Sequence, residues 1–180
     1  MKGIIFTEFI ALVEAKFGLE TVDEILVDAG EEGIFTSVGS YDHKRLVKLI
    51  TSLSRKTSIP AEDLQRVFGQ SVFNNLFDSL PQSDSLKSCK STFQFIRLVE
   101  EYIHTEVKKL YPDANPPKFD FVSEGETELV FDYLSARCMA HVCLGLIEGC
   151  ANHFSQTISA EMDNENQDGS RVRFKVVLVE

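Results

Sequence analysis

The sequence predicts an α+β fold: about six or seven helices followed by a four-stranded antiparallel sheet with one helix inserted. Three observations carry this. Residues 2–111 place apolar side chains at helical spacing in segment after segment. Residues 116–137 and 157–180 instead combine alternation, β-forming residues and polar turns, as hairpins do. Between them, residues 138–156 return to the helical pattern.

Taken in order, Ile4, Ile5, Phe9, Leu12 and Phe17 make residues 2–17 an amphipathic helix. Thr21 is placed to cap a second, short helix with Val22, Ile25 and Leu26 inward. "AGEEGIFTSVGSY" (29–41) reads as loop. Asp42 caps a helix with Leu46, Ile50 and Leu53 on one face, and Pro60 starts the next as a first-turn proline. "SLPQSDSLKS" (79–88) is loop with room for a helical turn. Ser91 opens a long helix that must end before Pro112. The first hairpin turns at "SEGE" (123–126) and the second at "NENQDG" (164–169), with Val172, Phe174, Val176 and Leu178 on one face.

The 180 residues are 43% hydrophobic, enough for one buried core, and no Pro/Gly/Ser-rich linker divides them. A single domain, 1–180, is expected. Fourteen Phe and no Trp suit a wide apolar core or pocket. A net charge of −10 argues against nucleic acid and anionic membranes as partners. No apolar run is long enough for a membrane span. Glu8 and Glu14 interrupt the apolar start, so it does not read as a signal peptide. Cys89, Cys138, Cys143 and Cys150 form no C-x-x-C pair, and a cytoplasmic protein with reduced thiols is expected.

The residues that carry chemistry gather late. In "TELVFDYLSAR" (127–137), strand alternation puts Tyr133, Ser135 and Arg137 on the face of Leu129 and Phe131. Two hydroxyl donors and a forked guanidinium suit a carboxylate or phosphate. A strand end reaching solvent, with Arg137 free, accounts for the same spacing. His104 lies at the edge of the long helix's apolar stripe, where a neutral imidazole can ligate a metal or simply pack. Pro116 and Pro117 fix the chain's entry into the hairpin.

The constellation is more specific than its parts. His104, twelve residues, Pro117, fifteen residues, then Tyr133-x-Ser135-x-Arg137 resembles the signature of the haem nitric oxide/oxygen-binding (H-NOX) family, stand-alone bacterial type. "MKGIIF" (1–6) and "LGLIEG" (144–149) are similar to the family as well, and the resemblance covers essentially the whole chain. It implies haem b buried between a helical subdomain (about 1–60) and a sheet-containing one (about 61–180). It implies His104 as the iron ligand, and Tyr133, Ser135 and Arg137 on the haem propionates. Pro117 would press on the porphyrin, with Ile5, Phe9 and Leu146 lining it. Family members that hold oxygen stably carry a distal tyrosine nine residues after the first tyrosine of the motif; here Val142 stands there, and Tyr41, Tyr102 and Tyr111 are not equivalent. His141 and Cys143, turned about 100° to either side of Val142, are expected away from the iron.

The function implied is a gas sensor for nitric oxide and carbon monoxide without stable oxygen binding. Nitric oxide would weaken the iron–His104 bond, and the helical half would move against the sheet half, a population shift between two states. A separate effector, a histidine kinase or a cyclic-di-GMP enzyme, would read it. The alternative is a non-haem small-anion module using Arg137. An enzyme with Cys138 or Cys143 as nucleophile is not expected, because neither an oxyanion loop nor an acid to orient His141 is evident. Structural zinc on Cys138, His141, Cys143, Cys150 and His153 is not expected either, since all five crowd one helix.

Overall fold

The computed structural model describes residues 1–80, 83–110, 115–166 and 168–179. Its elements run α1 (Gly3–Phe17), α2 (Leu19–Ala29), α3 (His43–Thr57), α4 (Ala61–Asp78), α5 (Asp84–Ser88), α6 (Thr92–Leu98), a π-helical segment (Val99–Ile103) and α7 (His104–Leu110). β1 (Lys118–Glu124), β2 (Glu128–Leu134), α8 (Ala140–His153), β3 (Ile158–Asn164) and β4 (Arg171–Leu178) follow. The stretch from α6 to α7 is one continuous rod, so the described residues form seven helices and a four-stranded sheet, as expected. The sheet order is β1-β2-β4-β3, antiparallel throughout.

Local chemistry explains most boundaries. The Asp42 carboxylate accepts the Lys44 amide at the head of α3, and the Ser91 hydroxyl accepts that of Gln94 at the head of α6. Thr21 does not cap α2. Gly18, at φ 87°, breaks α1 from α2 in a single residue, and α2 starts at Leu19. Thr21 is buried inside the helix, its hydroxyl donating to the Phe17 carbonyl at 3.0 Å. Pro60 stands at the cap of α4 rather than in its first turn. Tyr111, Pro112 and Gln167 lie outside the described residues, and with them the stop of the long helix and part of the second turn.

Three apolar cores result. Phe6, Phe9, Val13, Ile25, Leu46, Leu49 and Leu53 pack with Leu64, Phe68 and Val72 of α4. Phe119, Leu129, Phe131, Val172, Phe174 and Val176 line one sheet face under α8 and α6. Phe73, Leu86, Phe95 and Cys150 form the third, so α4 contributes to two of the three.

Candidate functional site

The cores leave a cavity of about 420 Å³, within the range of small-molecule and cofactor sites. Its walls come from the chain start, α4, the α6–α7 rod, the first hairpin and α8, and they are mostly apolar. Ile5, Leu46, Phe73, Phe77, Ile96, Leu146 and Ile147 supply much of the surface. Polar side chains on the wall are few, and His104, Tyr133 and Arg137 are three of them.

His104 opens α7, directly after the π-helical segment. Its side chain is 15% exposed, and Phe119 meets its ring edge-on at 5.4 Å. Nδ1 lies 3.0 Å from Oε2 of Glu100. A carboxylate only accepts, so Nδ1 carries the proton and Nε2 keeps a lone pair. Burial pushes the imidazole below its ordinary pKa, against the pull of Glu100. The ring is therefore neutral near pH 7, as a metal ligand must be.

Strand geometry alone does not assemble the Tyr133, Ser135 and Arg137 trio. β2 ends at Leu134, and Ala136 and Arg137 form a turn. Ser135 pairs its amide with the Ser170 carbonyl, and its hydroxyl accepts the Arg137 amide at 3.2 Å. That local bond bends the chain, bringing Arg137 to the cavity beside Tyr133 while Ser135 stays buried off the wall. The Tyr133 phenol is pushed up to about 12 by burial and remains a donor at neutral pH. Burial lowers Arg137, and Tyr133 partly offsets this. Among the described residues no carboxylate lies within ion-pair distance of Arg137. A half-buried guanidinium without an acid partner is a place for an anion.

Pro117, Ile5, Leu146 and Val142 line the cavity. Phe9 does not. It is sealed in the helical core, edge-on to Phe68 at 5.4 Å, while Ile5, one turn earlier on the same face of α1, packs on that core and reaches the cavity. Cys143 lines the wall next to Val142 while His141 does not, so the curved wall admits one of the two neighbours. Burial pushes the Cys143 thiol up to about 12. Tyr133 is the one tyrosine on the wall among the described residues; Tyr41 packs on Phe6 and Phe35, Tyr102 is exposed, and Tyr111 lies outside them.

Sequence reasoning missed Met1, Phe73, Phe77, Met139 and the Glu100 carboxylate. The first four read as ordinary apolar residues. Glu100, four residues before His104, was visible as an i, i+4 partner on a helix. Among the described residues no helix is long and apolar enough to cross a membrane, and nowhere do three His, Cys, Asp or Glu side chains gather as a metal ligand set.

Comparisons with known proteins agree with this geometry. A family model described as "Haem-NO-binding" matches residues 2–162. An Fe(II) unliganded H-NOX protein from K. algicida is 36% identical, with all of this chain and 97% of that one covered and a TM-score of 0.92. An H-NOX from Shewanella woodyi in the Fe(II)CO ligation state, bound to IWP-051, is 36% identical over 99% of this chain and 95% of that one, at TM-score 0.81. An H-NOX protein from S. oneidensis in the Fe(II)NO state shares the fold at TM-score 0.86, with 24% identity over the whole of both chains. No curated protein matches the chain.

Proposed function

The chain belongs to the haem-NO-binding (H-NOX) family, and from that membership we propose that it is a sensor and not an enzyme: it holds haem b, responds to nitric oxide and carbon monoxide, and forms no stable oxygen complex. One observation carries this reading. A neutral, largely buried His104 and a half-buried Arg137, which meets no carboxylate among the described residues, share the wall of one large apolar cavity.

The residues present fit such a group. Bound ferrous haem would supply an iron able to take up a diatomic gas. His104 would hold the iron through Nε2, its tautomer fixed by Glu100. Arg137 and Tyr133 would bind the haem carboxylates as a fork and a hydroxyl donor, and Ser135 holds the turn that presents Arg137. Pro117, Ile5 and Leu146 exclude water and offer rigid contacts, and Phe9 supports them from behind. On α8 the wall consists of Val142, Cys143, Leu146, Ile147 and Cys150, with no hydroxyl to stabilise polarised oxygen.

The output is a population shift between two arrangements of the protein, bounded by the gas ligand's differential affinity for them. It moves a helical part, about residues 1–60, against a sheet-containing part, about 61–180. A separate cytoplasmic effector, such as a histidine kinase or a cyclic-di-GMP enzyme, reads it.

The test is the absorption spectrum of the reduced protein, before and after nitric oxide and then in air. The reading expects a Soret band that shifts with nitric oxide and no oxy spectrum in air. A stable oxy spectrum removes the role given to Val142. A protein that takes up no haem leaves a non-haem anion module on Arg137, whose guanidinium meets no carboxylate among the described residues.

A further inference from the structure

Building on the haem-sensor reading, we propose that Glu100 is a positioning residue that strengthens the bond His104 makes to iron and couples that bond to strand β1. The Oε2 atom of Glu100 accepts two hydrogen bonds at once. One comes from His104 Nδ1–H at 3.0 Å, the other from the backbone N–H of Phe119, also at 3.0 Å. Phe119 is the second residue of β1. One carboxylate oxygen thus ties the head of α7 to the sheet, bridging the stretch that holds Pro116 and Pro117.

The surroundings favour a built contact over a chance one. Glu100 lies inside the π-helical segment, and His104 closes that segment with its amide on the Val99 carbonyl. A π turn within an α-helical rod is rare, and such irregularities concentrate at functional positions. The Glu100 and His104 side chains are only 23% and 15% exposed, so water competes weakly for their bond. Phe119 also packs against the His104 ring and against Phe131, the latter at a ring separation of 5.0 Å. Movement of the imidazole therefore either breaks a bond at Oε2 or carries the start of β1 with it.

The chemistry gives the direction. A carboxylate on Nδ1–H moves electron density onto the ring and makes Nε2 a better donor to a metal. A neutral amide in its place withdraws that support. Glu100→Gln then weakens the iron–histidine bond, and the protein releases His104 more readily when nitric oxide binds. Loss of such an outer partner changes metal affinity by about 10- to 100-fold.

The experiment compares wild type, Glu100→Gln, Glu100→Asp and the exposed neighbour Glu101→Gln, each loaded with ferrous haem. Resonance Raman reads the iron–histidine stretching band, and hydrogen exchange reads the Phe119 amide before and after nitric oxide. The proposal expects a lower band in Glu100→Gln, an intermediate one in Glu100→Asp and no change in Glu101→Gln. It also expects nitric oxide to deprotect the Phe119 amide in wild type, and that amide to be less protected from the outset in Glu100→Gln, whose neutral oxygen is the weaker acceptor. Should Glu100→Gln fail to fold, the Glu100→Asp band decides. Bands that coincide in all haem-loaded variants overturn the proposal alone. A wild type that takes up no haem overturns the sensor reading and the proposal together.

Discussion

Gly69 and Gly145 meet where α4 crosses α8, and neither position has room for a side chain. A Cβ on Gly69 would stand 2.3 Å from the Val142 carbonyl oxygen, and one on Gly145 would stand 2.0 Å from that of Arg66. The obstacles are backbone atoms, so a rotamer change cannot relieve them. The crossing also sets Val142 and Leu146 against the cavity opposite the α4 residues Phe73 and Phe77. Gly145→Ala should therefore destabilise the fold by about 3 kcal/mol or more. Denaturant unfolding of the purified variant measures this, and a midpoint equal to wild type would mean that the two helices are not locked here.

His104→Gly removes the imidazole but leaves a gap of its shape between Glu100 and Phe119. The variant should bind haem only when free imidazole is supplied, with the small molecule occupying the gap. Absorption spectra with and without imidazole check this. Unchanged haem retention without imidazole would end the assignment of His104 as ligand.

The order of elements and the site's chemistry were legible because both follow from residue type and spacing. The period of 3.6 placed α1, α3 and α4, and alternation placed both hairpins. The motif spacing picked out His104, Pro117, Tyr133 and Arg137, all of which line one cavity. What was not legible depends on backbone turns that side-chain periodicity does not report. Extending the strand period through Ser135 and Arg137 overlooked a serine that bonds the amide two residues on, which ends a strand. Nothing in "VEEYI" announces a π-helical segment. Phe9 shares a helical face with Ile5 in sequence, yet it lies one turn further along α1, inside the core, where only Ile5 still reaches the wall.

Arg137 should show opposite signs with and without ligand. In the haem-free protein its guanidinium is half buried with no carboxylate at ion-pair distance among the described residues, which is unfavourable. Arg137→Met keeps the length and loses the charge, and should raise haem-free stability by about 1 kcal/mol. The same change should weaken haem retention by about 10-fold, because one fork of hydrogen bonds to a carboxylate is gone. Thermal unfolding of the haem-free protein and haem transfer to an acceptor globin measure the two effects. A loss on both counts would show that Arg137 has a structural partner instead.

Asp132 predicts the acid limit of the fold. It is 2% exposed on the outer sheet face, held by Arg171 at 2.5 Å and Arg173 at 2.8 Å. Hydrogen bonding from Arg173 comes first among the causes that hold its carboxyl below the usual range, against desolvation. A depressed folded pKa gives stability that is present above the unfolded value and lost as pH falls through the folded one. Stability should therefore drop as pH falls below about 4, the ordinary carboxylate range, and Asp132→Asn should flatten that drop while lowering neutral stability by about 2 kcal/mol, since both guanidinium groups still reach water. Urea unfolding across that pH range is the measurement, and an unchanged slope in Asp132→Asn would place the acid sensitivity elsewhere.

The four thiols should separate by reactivity. Cys138 is exposed, Cys89 is partly covered, and Cys143 and Cys150 are buried. Burial pushes Cys143 up to about 12 and raises Cys150 further, so at pH 8 their thiolate fractions fall about a thousandfold or more below that of an ordinary cysteine. Iodoacetamide at pH 8 should alkylate Cys138 first and Cys89 more slowly, and leave Cys143 and Cys150 untouched until denaturant is added. Mass spectrometry of timed digests gives the order. Because Cys143 lines the cavity, early labelling there would mean that the cavity opens to solvent often enough to admit a reagent larger than a diatomic gas.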